Sequence, residues 1–304
     1  MKKKLLIAVS SFDKNNYYTH LLKKKFDIIK NKSGKKFNSN QLSNAIKNVE
    51  YIIAGTEIYD RDILAQASKL KHIYRLGVGL DNIDLDFCKK RNIKVSISKT
   101  NLTNAVVEHI IALMFASQKK IIYHNNLIKE GKWGKTLTSS VLNKKIGIIG
   151  FGRIGQGLYK FLKLFDADFF YYDLIKSQNK KIKFKSIRFI FKTCDIISLN
   201  LSSSKKSINL INGKLFKIAK KNLLLINTSR GSLINETHLY NFLKKNNTAN
   251  ACLDVFQKEP YNGNLKKLHN IILTPHISSF SQETRIKMEK DAFQQISKIK
   301  FKLN

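Results

Sequence analysis

The chain has 304 residues, 43% hydrophobic and 25% charged, which is long enough for two ordinary globular domains with buried cores. No apolar run approaches the roughly 20 residues that cross a bilayer, which argues against a helical membrane protein. The net charge of +35 comes from 56 Lys and Arg against 21 Asp and Glu; it is nearly all lysine, scattered in pairs and triplets, and is not the gathered basic tract of a nucleic-acid binder.

The same sequence is rich in Asn and Ile and holds only 2 Pro and 14 Gly, so the charge reads as codon bias spread over solvated faces. At the N-terminus Lys2, Lys3 and Lys4 precede the apolar Leu5–Val9. That stretch is too short for a signal core and has no small-residue cleavage site, so it reads as a first buried strand. The three cysteines, Cys88, Cys194 and Cys252, are odd in number and far apart. They form neither a disulfide framework nor a zinc site, and a reducing cytoplasm fits.

Along the chain a short apolar strand is repeatedly followed by an amphipathic helix, the pattern of a parallel α/β sheet. Leu5–Val9, Phe26–Ile29, Tyr51–Ala54, His72–Arg75 and Lys94–Ile97 read as strands, with helices such as Asn40–Lys47 and Asp60–Ala67 between them. This is a doubly wound sheet by itself. A long apolar helix, Asn104–Ser117, and a polar loop near Gly131–Ser140 lead into a second series. It runs through strand Lys145–Ile149, helix Arg153–Phe165 and strand Ala167–Tyr172, then strands at Ile196–Asn200, Leu223–Asn227, Asn250–Asp254 and Ile271–Leu273. The last helix, about Ser281–Lys298, is expected to return to the first domain and make it discontinuous.

The strongest short motif is Gly150-Phe151-Gly152-Arg153-Ile154-Gly155. Alone it is a weak signal. Here an apolar strand leads in, a helix leads out, and the next strand ends in Asp173, which together make a dinucleotide fingerprint. Gly150 serves the tight turn, Gly152 lets the backbone approach a pyrophosphate, and Gly155 allows helix and strand to pack closely. Asp173 would accept from the adenosine ribose hydroxyls and repel a 2′-phosphate, so NAD is expected over NADP.

Three later segments each put a reactive side chain just past a strand, where open α/β sheets bind ligands. They are Ile226-Asn-Thr-Ser-Arg230-Gly, Leu253-Asp-Val-Phe-Gln-Lys-Glu259-Pro and Leu273-Thr-Pro-His276. Arginine can hold a carboxylate by a two-pronged contact. Histidine titrates near neutrality, and a neighbouring carboxylate fixes its tautomer.

In this order, after Gly150–Gly155, the segments resemble the D-isomer-specific 2-hydroxyacid dehydrogenase family. The stretches Leu70–Leu85, Thr100–Met114 and Glu130–Trp133 extend the likeness over nearly the whole chain. The resemblance implies two doubly wound parallel-sheet domains, a Rossmann NAD-binding domain (100–277) inserted into a flavodoxin-like substrate domain (1–99 plus 278–304). It implies that Arg230 binds the substrate carboxylate and polarises C2 oxygen, that His276 is the acid–base, and that Glu259 bonds its other ring nitrogen. Backbone amides around Val78 and Gly79 are expected to cradle the carboxylate. Thr103, Arg153, Ile154, Thr228 and Asp254 join the three glycines and Asp173 around the cofactor. No metal is expected.

Within the family the chain looks most like phosphoglycerate dehydrogenase-related members, with hydroxypyruvate or glyoxylate reductase as the alternative. No arginine stands in Ile52–Thr56, where some phosphoglycerate dehydrogenases grip phosphate. A formate dehydrogenase is disfavoured because Glu259 is present, and an NAD(H)-sensing, corepressor-like binding protein would not need the Arg–Glu–His set. The segment at Asn200-Leu201-Ser202 departs from the family's His-x-Pro, and Ser278 and Ser279 stand where small residues are common. A homodimer is expected through Asn104–Ser117 and the loop near Trp133, with no nucleic-acid or membrane partner. The histidines other than His276, among them His109, read as structural or surface residues.

Overall fold

A computed structural model describes residues 2–299 apart from 180, 203 and 205. The chain separates into two compact units, one of residues 1–101 with 282–304 and one of residues 102–281. The last five residues of the segment 278–304, expected in the substrate domain, lie outside the described residues.

The first unit carries β1 (Lys3–Ile7), α1 (Tyr17–Lys23), β2 (Phe26–Lys30), α2 (Ser39–Ile46), β3 (Tyr51–Ala54), α3 (Arg61–Ala65), β4 (His72–Arg75), α4 (Leu85–Lys90) and β5 (Lys94–Ile97), closed by the C-terminal helix Gln282–Ser297. Its strands are parallel in the order β2-β1-β3-β4-β5, the flavodoxin-like arrangement. The central strand β3 is buried at every position, which explains its unbroken apolar run. Helix starts follow local chemistry. Asn38 and Gln41 form a reciprocal capping box on α2, while Asp60 and Asp84 accept from the first-turn amides of α3 and α4. The C-terminal helix is fastened from within the unit: Asp291 accepts from the Tyr74 hydroxyl at 2.7 Å and from the Lys99 amide at 2.8 Å.

The second unit contains α5 (Thr103–Gln118), α6 (Ile121–Lys129), β6 (Lys145–Ile149), α7 (Arg153–Leu162), β7 (Asp168–Tyr172), β8 (Lys183–Phe184), α8 (Ile187–Thr193), β9 (Ile196–Leu199), α9 (Gly213–Phe216), β10 (Leu224–Asn227), α10 (Glu236–Lys245), β11 (Asn250–Leu253) and β12 (Ile271–Leu273). All seven strands are parallel, in the order β12-β11-β10-β9-β6-β7-β8. This is the Rossmann order with one strand added at the far edge, and the order reverses between β6 and β9. Two cores flank the sheet, one centred on Phe191, Leu225 and Leu239, the other on Val107, Ile110 and Leu158. The fold is therefore the expected pair of doubly wound parallel sheets, and the final helix does return to the first unit.

The sequence reading ran α7 three residues too far, to Phe165, and did not name α6, β8, α8, α9 or α10. The two-residue β8 carries too little apolar pattern to register. Helix α6 buries no residue fully, and its apolar Ile121, Ile122, Tyr123 and Ile128 are exposed, so no core-facing stripe marks it.

Candidate active site

The turn after β6 is built around glycine. Gly150 has φ of +95°, and a Cβ there would stand 2.6 Å from the carbonyl carbon of Asn200, just past β9. The crevice at the strand-order reversal is thus lined by backbone on both sides, and only a residue without a side chain fits. Gly152 is exposed, and a Cβ on it would meet nothing within 4 Å, so the space beside the start of α7 is open. Gly155 is buried in the first turn of α7, Ile154 is half-buried beside it, and the Arg153 side chain is exposed.

Asp173, at the end of β7, accepts from the Phe151 amide at 2.6 Å and from the Leu174 amide at 2.7 Å. The acid thereby braces the glycine loop while each carboxylate oxygen keeps a lone pair for another donor. An open amide-lined turn, a helix N-terminus and an acid at the tip of the next strand fit a dinucleotide. Thr103 opens α5 and packs near Gly157 of α7, and Thr228 is buried directly after β10.

Arg230, Glu259 and His276 follow β10, β11 and β12, three adjacent strands, at their C-terminal ends. His276 Nδ1 lies 3.0 Å from Glu259 Oε2, and Glu259 Oε1 accepts from the Phe256 amide at 3.1 Å. Because a carboxylate can only accept, the proton of that pair sits on Nδ1, which leaves Nε2 for another partner. Both side chains are part-buried. The half-buried Arg230 donates from Nη1 to the Ser229 carbonyl at 2.7 Å. Its own carbonyl accepts from the fully buried Asn227 at 2.9 Å, and Asn227 Oδ1 in turn accepts from the Ser229 amide and hydroxyl. The loop that carries Arg230 is therefore held by an asparagine that the sequence reading did not single out. Asn-x-x-Arg at a strand end, with the Asn side chain free to bond its own loop, is the signal that marks it.

Asp254 is fully buried. Its carboxylate accepts from the Thr274 hydroxyl at 2.6 Å and from the amides of Ile277 and Ser278, each at 2.8 Å. His109 Nε2, on α5, lies 3.2 Å from Thr274 Oγ1 and 3.6 Å from Asp254 Oδ1. Burial alone pushes the Asp254 carboxyl upward, but the nearby His109 and the hydrogen bonds from Thr274 and the two amides outweigh it and hold the pKa below the ordinary value. His109, read from sequence as structural or surface, is thus tied to the loop of His276.

In the first unit, Val78 is exposed and Gly79 half-buried in the bend that follows β4. The three cysteines are free and buried, and burial pushes the Cys88 thiol up to about 11 and those of Cys194 and Cys252 up to about 12, away from the reactive thiolate. Among the described residues no cluster of three or more His, Cys, Asp or Glu is arranged to hold a metal, and no helix is long and apolar enough to cross a membrane.

Known proteins align with this geometry. Residues 111–278 match the model of the D-isomer specific 2-hydroxyacid dehydrogenase NAD binding domain. The chain is 36% identical over 244 residues to the glyoxylate reductase of Thermococcus litoralis, covering 76% of this chain and 74% of that protein. It is 34% identical over 235 residues to the D-3-phosphoglycerate dehydrogenase of Archaeoglobus fulgidus, covering 75% of this chain but 45% of that one. Among solved structures, an acyclic imino acid reductase in complex with NADPH and D-Arg superposes with a TM-score of 0.84 at 27% identity, covering 97% of this chain and 96% of the other. The chain belongs to the D-isomer specific 2-hydroxyacid dehydrogenase family, as an NAD-dependent oxidoreductase whose second unit is the family's NAD-binding domain.

Proposed function

We propose that the chain reduces a small unphosphorylated 2-oxo acid, glyoxylate or hydroxypyruvate, to its D-2-hydroxy acid. The observation that carries this reading is the 3.0 Å His276–Glu259 pair at the strand ends that also present Arg230. Bound NADH supplies the hydride at C2. With Nδ1 bonded to Glu259, His276 gives the proton on Nε2 to the C2 oxygen and takes it back in the reverse direction. Arg230 holds the substrate carboxylate and offsets charge that develops on the C2 oxygen. The amides of Val78 and Gly79 take the carboxylate, and Thr103, Arg153, Ile154 and Thr228 join the glycine turn, Asp173 and Asp254 around the cofactor.

Two observations favour the unphosphorylated acid over a phosphoglycerate dehydrogenase-like substrate. Several relatives are named glyoxylate reductases, from Thermococcus litoralis and Pyrococcus furiosus among others. In the first unit, Ala54-Gly55-Thr56 carries no arginine and is followed by the buried Glu57, whose carboxylate accepts from the Gly55 amide at 2.9 Å. A homodimer in the cytoplasm completes the proposal. Helix α6 buries none of its residues, and Trp133 and Leu137 beyond it are 85% and 94% exposed, a cost that a partner surface removes.

The test follows NADH absorbance with glyoxylate, hydroxypyruvate, pyruvate and phosphohydroxypyruvate in turn, and with NADPH in parallel. Turnover highest on one of the first two is the expected result. Preference for phosphohydroxypyruvate overturns the substrate assignment. NADH binding without turnover of any acid points to a cofactor-sensing protein.

A further inference from the structure

We propose that His109 and Thr274 are positioning residues that act through Asp254 to hold His276 in its working conformation. The inference rests on the reading of His276 as the acid–base. His276 has φ of +55°, in the left-handed region that non-glycine residues seldom occupy. A backbone in that region persists only where its surroundings impose it. Immediately before it, Pro275 has no amide hydrogen to donate, and the His276 amide reaches only across the tight turn, to the Thr274 carbonyl at 3.0 Å. The bonds that fix the turn come from behind. Asp254 grips the two residues after His276 by their amides, Ile277 on Oδ1 and Ser278 on Oδ2, and the residue two before it by its hydroxyl. One buried carboxylate therefore spans the histidine on both sides.

The direction of the proton chain follows from donor counting. The Thr274 hydroxyl has one proton and spends it on Asp254 Oδ1 at 2.6 Å, so Thr274 Oγ1 accepts from His109 Nε2 at 3.2 Å. The chain runs from His109 Nε2–H to Thr274 to Asp254, and it sets the hydroxyl's orientation. Asp254 is anchored in turn, since its amide donates to the Asn227 carbonyl at 2.9 Å, on the residue whose side chain holds the Arg230 loop. His109 rides on α5, whose Val106, Val107 and Ile110 are packed in the core, so it meets Thr274 from a rigid element. A loop carrying a catalytic group is held to sub-ångström tolerance by supports of this kind, and their loss costs rate more than binding.

The experiment compares His109→Ala, Thr274→Val, the double variant, and the restoring variants His109→Gln and Thr274→Ser. The readouts are kcat, KM for glyoxylate and NADH affinity by fluorescence, with circular dichroism as the check on folding. His109→Ala and Thr274→Val are each expected to lower kcat by roughly tenfold or more, with KM and NADH affinity within about twofold of the parent. The double variant should be no worse than the poorer single one, because both break one chain. Glutamine and serine, which keep the donor and the hydroxyl, should recover most of the rate. Unchanged kcat in Thr274→Val, or a loss that falls on NADH affinity, overturns the proposal. His276→Asn separates the two readings. Full activity there sinks the acid–base assignment itself. An inactive His276→Asn beside fully active His109→Ala and Thr274→Val sinks only the positioning role.

Discussion

His276 and Glu259 face each other through one ring nitrogen, so their replacements should differ in kind. On the proposed assignment His276→Asn removes the group that protonates the C2 oxygen, and kcat should fall by about 10²–10⁴ with NADH affinity intact. Glu259→Gln keeps an acceptor for Nδ1 but not the charge, and a smaller loss of kcat is expected, with a changed pH profile. Steady-state kinetics with fluorescence titration of NADH check both, and equal losses would deny Glu259 a mere supporting part. Asp173 carries a separate prediction. It braces the glycine loop through the Phe151 amide; on the proposal that it also repels a 2′-phosphate, Asp173→Ser should narrow the ratio of kcat/KM for NADH over NADPH. A parent enzyme already faster with NADPH would defeat the assignment.

At the scale of elements, two segments meet where neither has room to move. A Cβ on Gly231 would lie 1.9 Å from the carbonyl carbon of Phe256, so the turn that follows Arg230 presses on the strand exit that leads to Glu259. Gly231→Ala should push these segments apart and cost on the order of 10² in kcat while NADH still binds. Strand β4 sets a limit in acid. His72 is buried, 2.7 Å from Ser96 Oγ, and burial together with the Lys94 charge lowers its pKa to about 4. The unfolded chain takes up this proton from about pH 6.5 downward and the folded chain only near 4. Between those values the unfolded state binds more protons, and stability falls as pH falls, by up to about 3 kcal/mol. The urea midpoint of the parent should therefore drop more between pH 7 and 4.5 than that of His72→Gln. Equal drops would show that this histidine does not report its burial.

For the molecule as a whole, +35 charges repel one another. With 56 basic residues and 21 acidic ones most lysines have no carboxylate to meet, and pairs such as Lys71–Glu50 and Lys220–Asp195 use the acids available. Screening should relieve the repulsion, so Tm is expected to rise between 10 and 150 mM salt, the opposite of what surface ion pairs would give. Release from heparin at low salt is expected as well, and tight, salt-sensitive DNA binding would instead argue for a working basic surface. The exposed Trp133 and Leu137 make the proposed dimer testable: sedimentation should give twice the 35.0 kDa chain mass, and Trp133→Glu with Leu137→Glu should give the monomer.

Much of this was legible in the residues. Strand, turn, glycine spacing and terminal acid are local in sequence, so Gly150–Gly155 with Asp173 could be recognised from periodicity and spacing. The Arg230, Glu259 and His276 segments stood out because each follows an apolar strand of a parallel sheet, and the family resemblance supplied the meaning of their order. What the tertiary structure decided are pairings across long stretches of chain. Nothing near His109 announces a partner 165 residues away in Thr274. Asp254 was readable as a strand-end acid, but its grip on the amides after His276 depends on β11 and β12 lying side by side. Helix α6 was missed for the opposite reason, since it buries no residue fully and so has no buried periodicity to read. Local chemistry is written in consecutive residues, whereas which buried donor meets which acceptor is settled only when the strands take their places in the sheet.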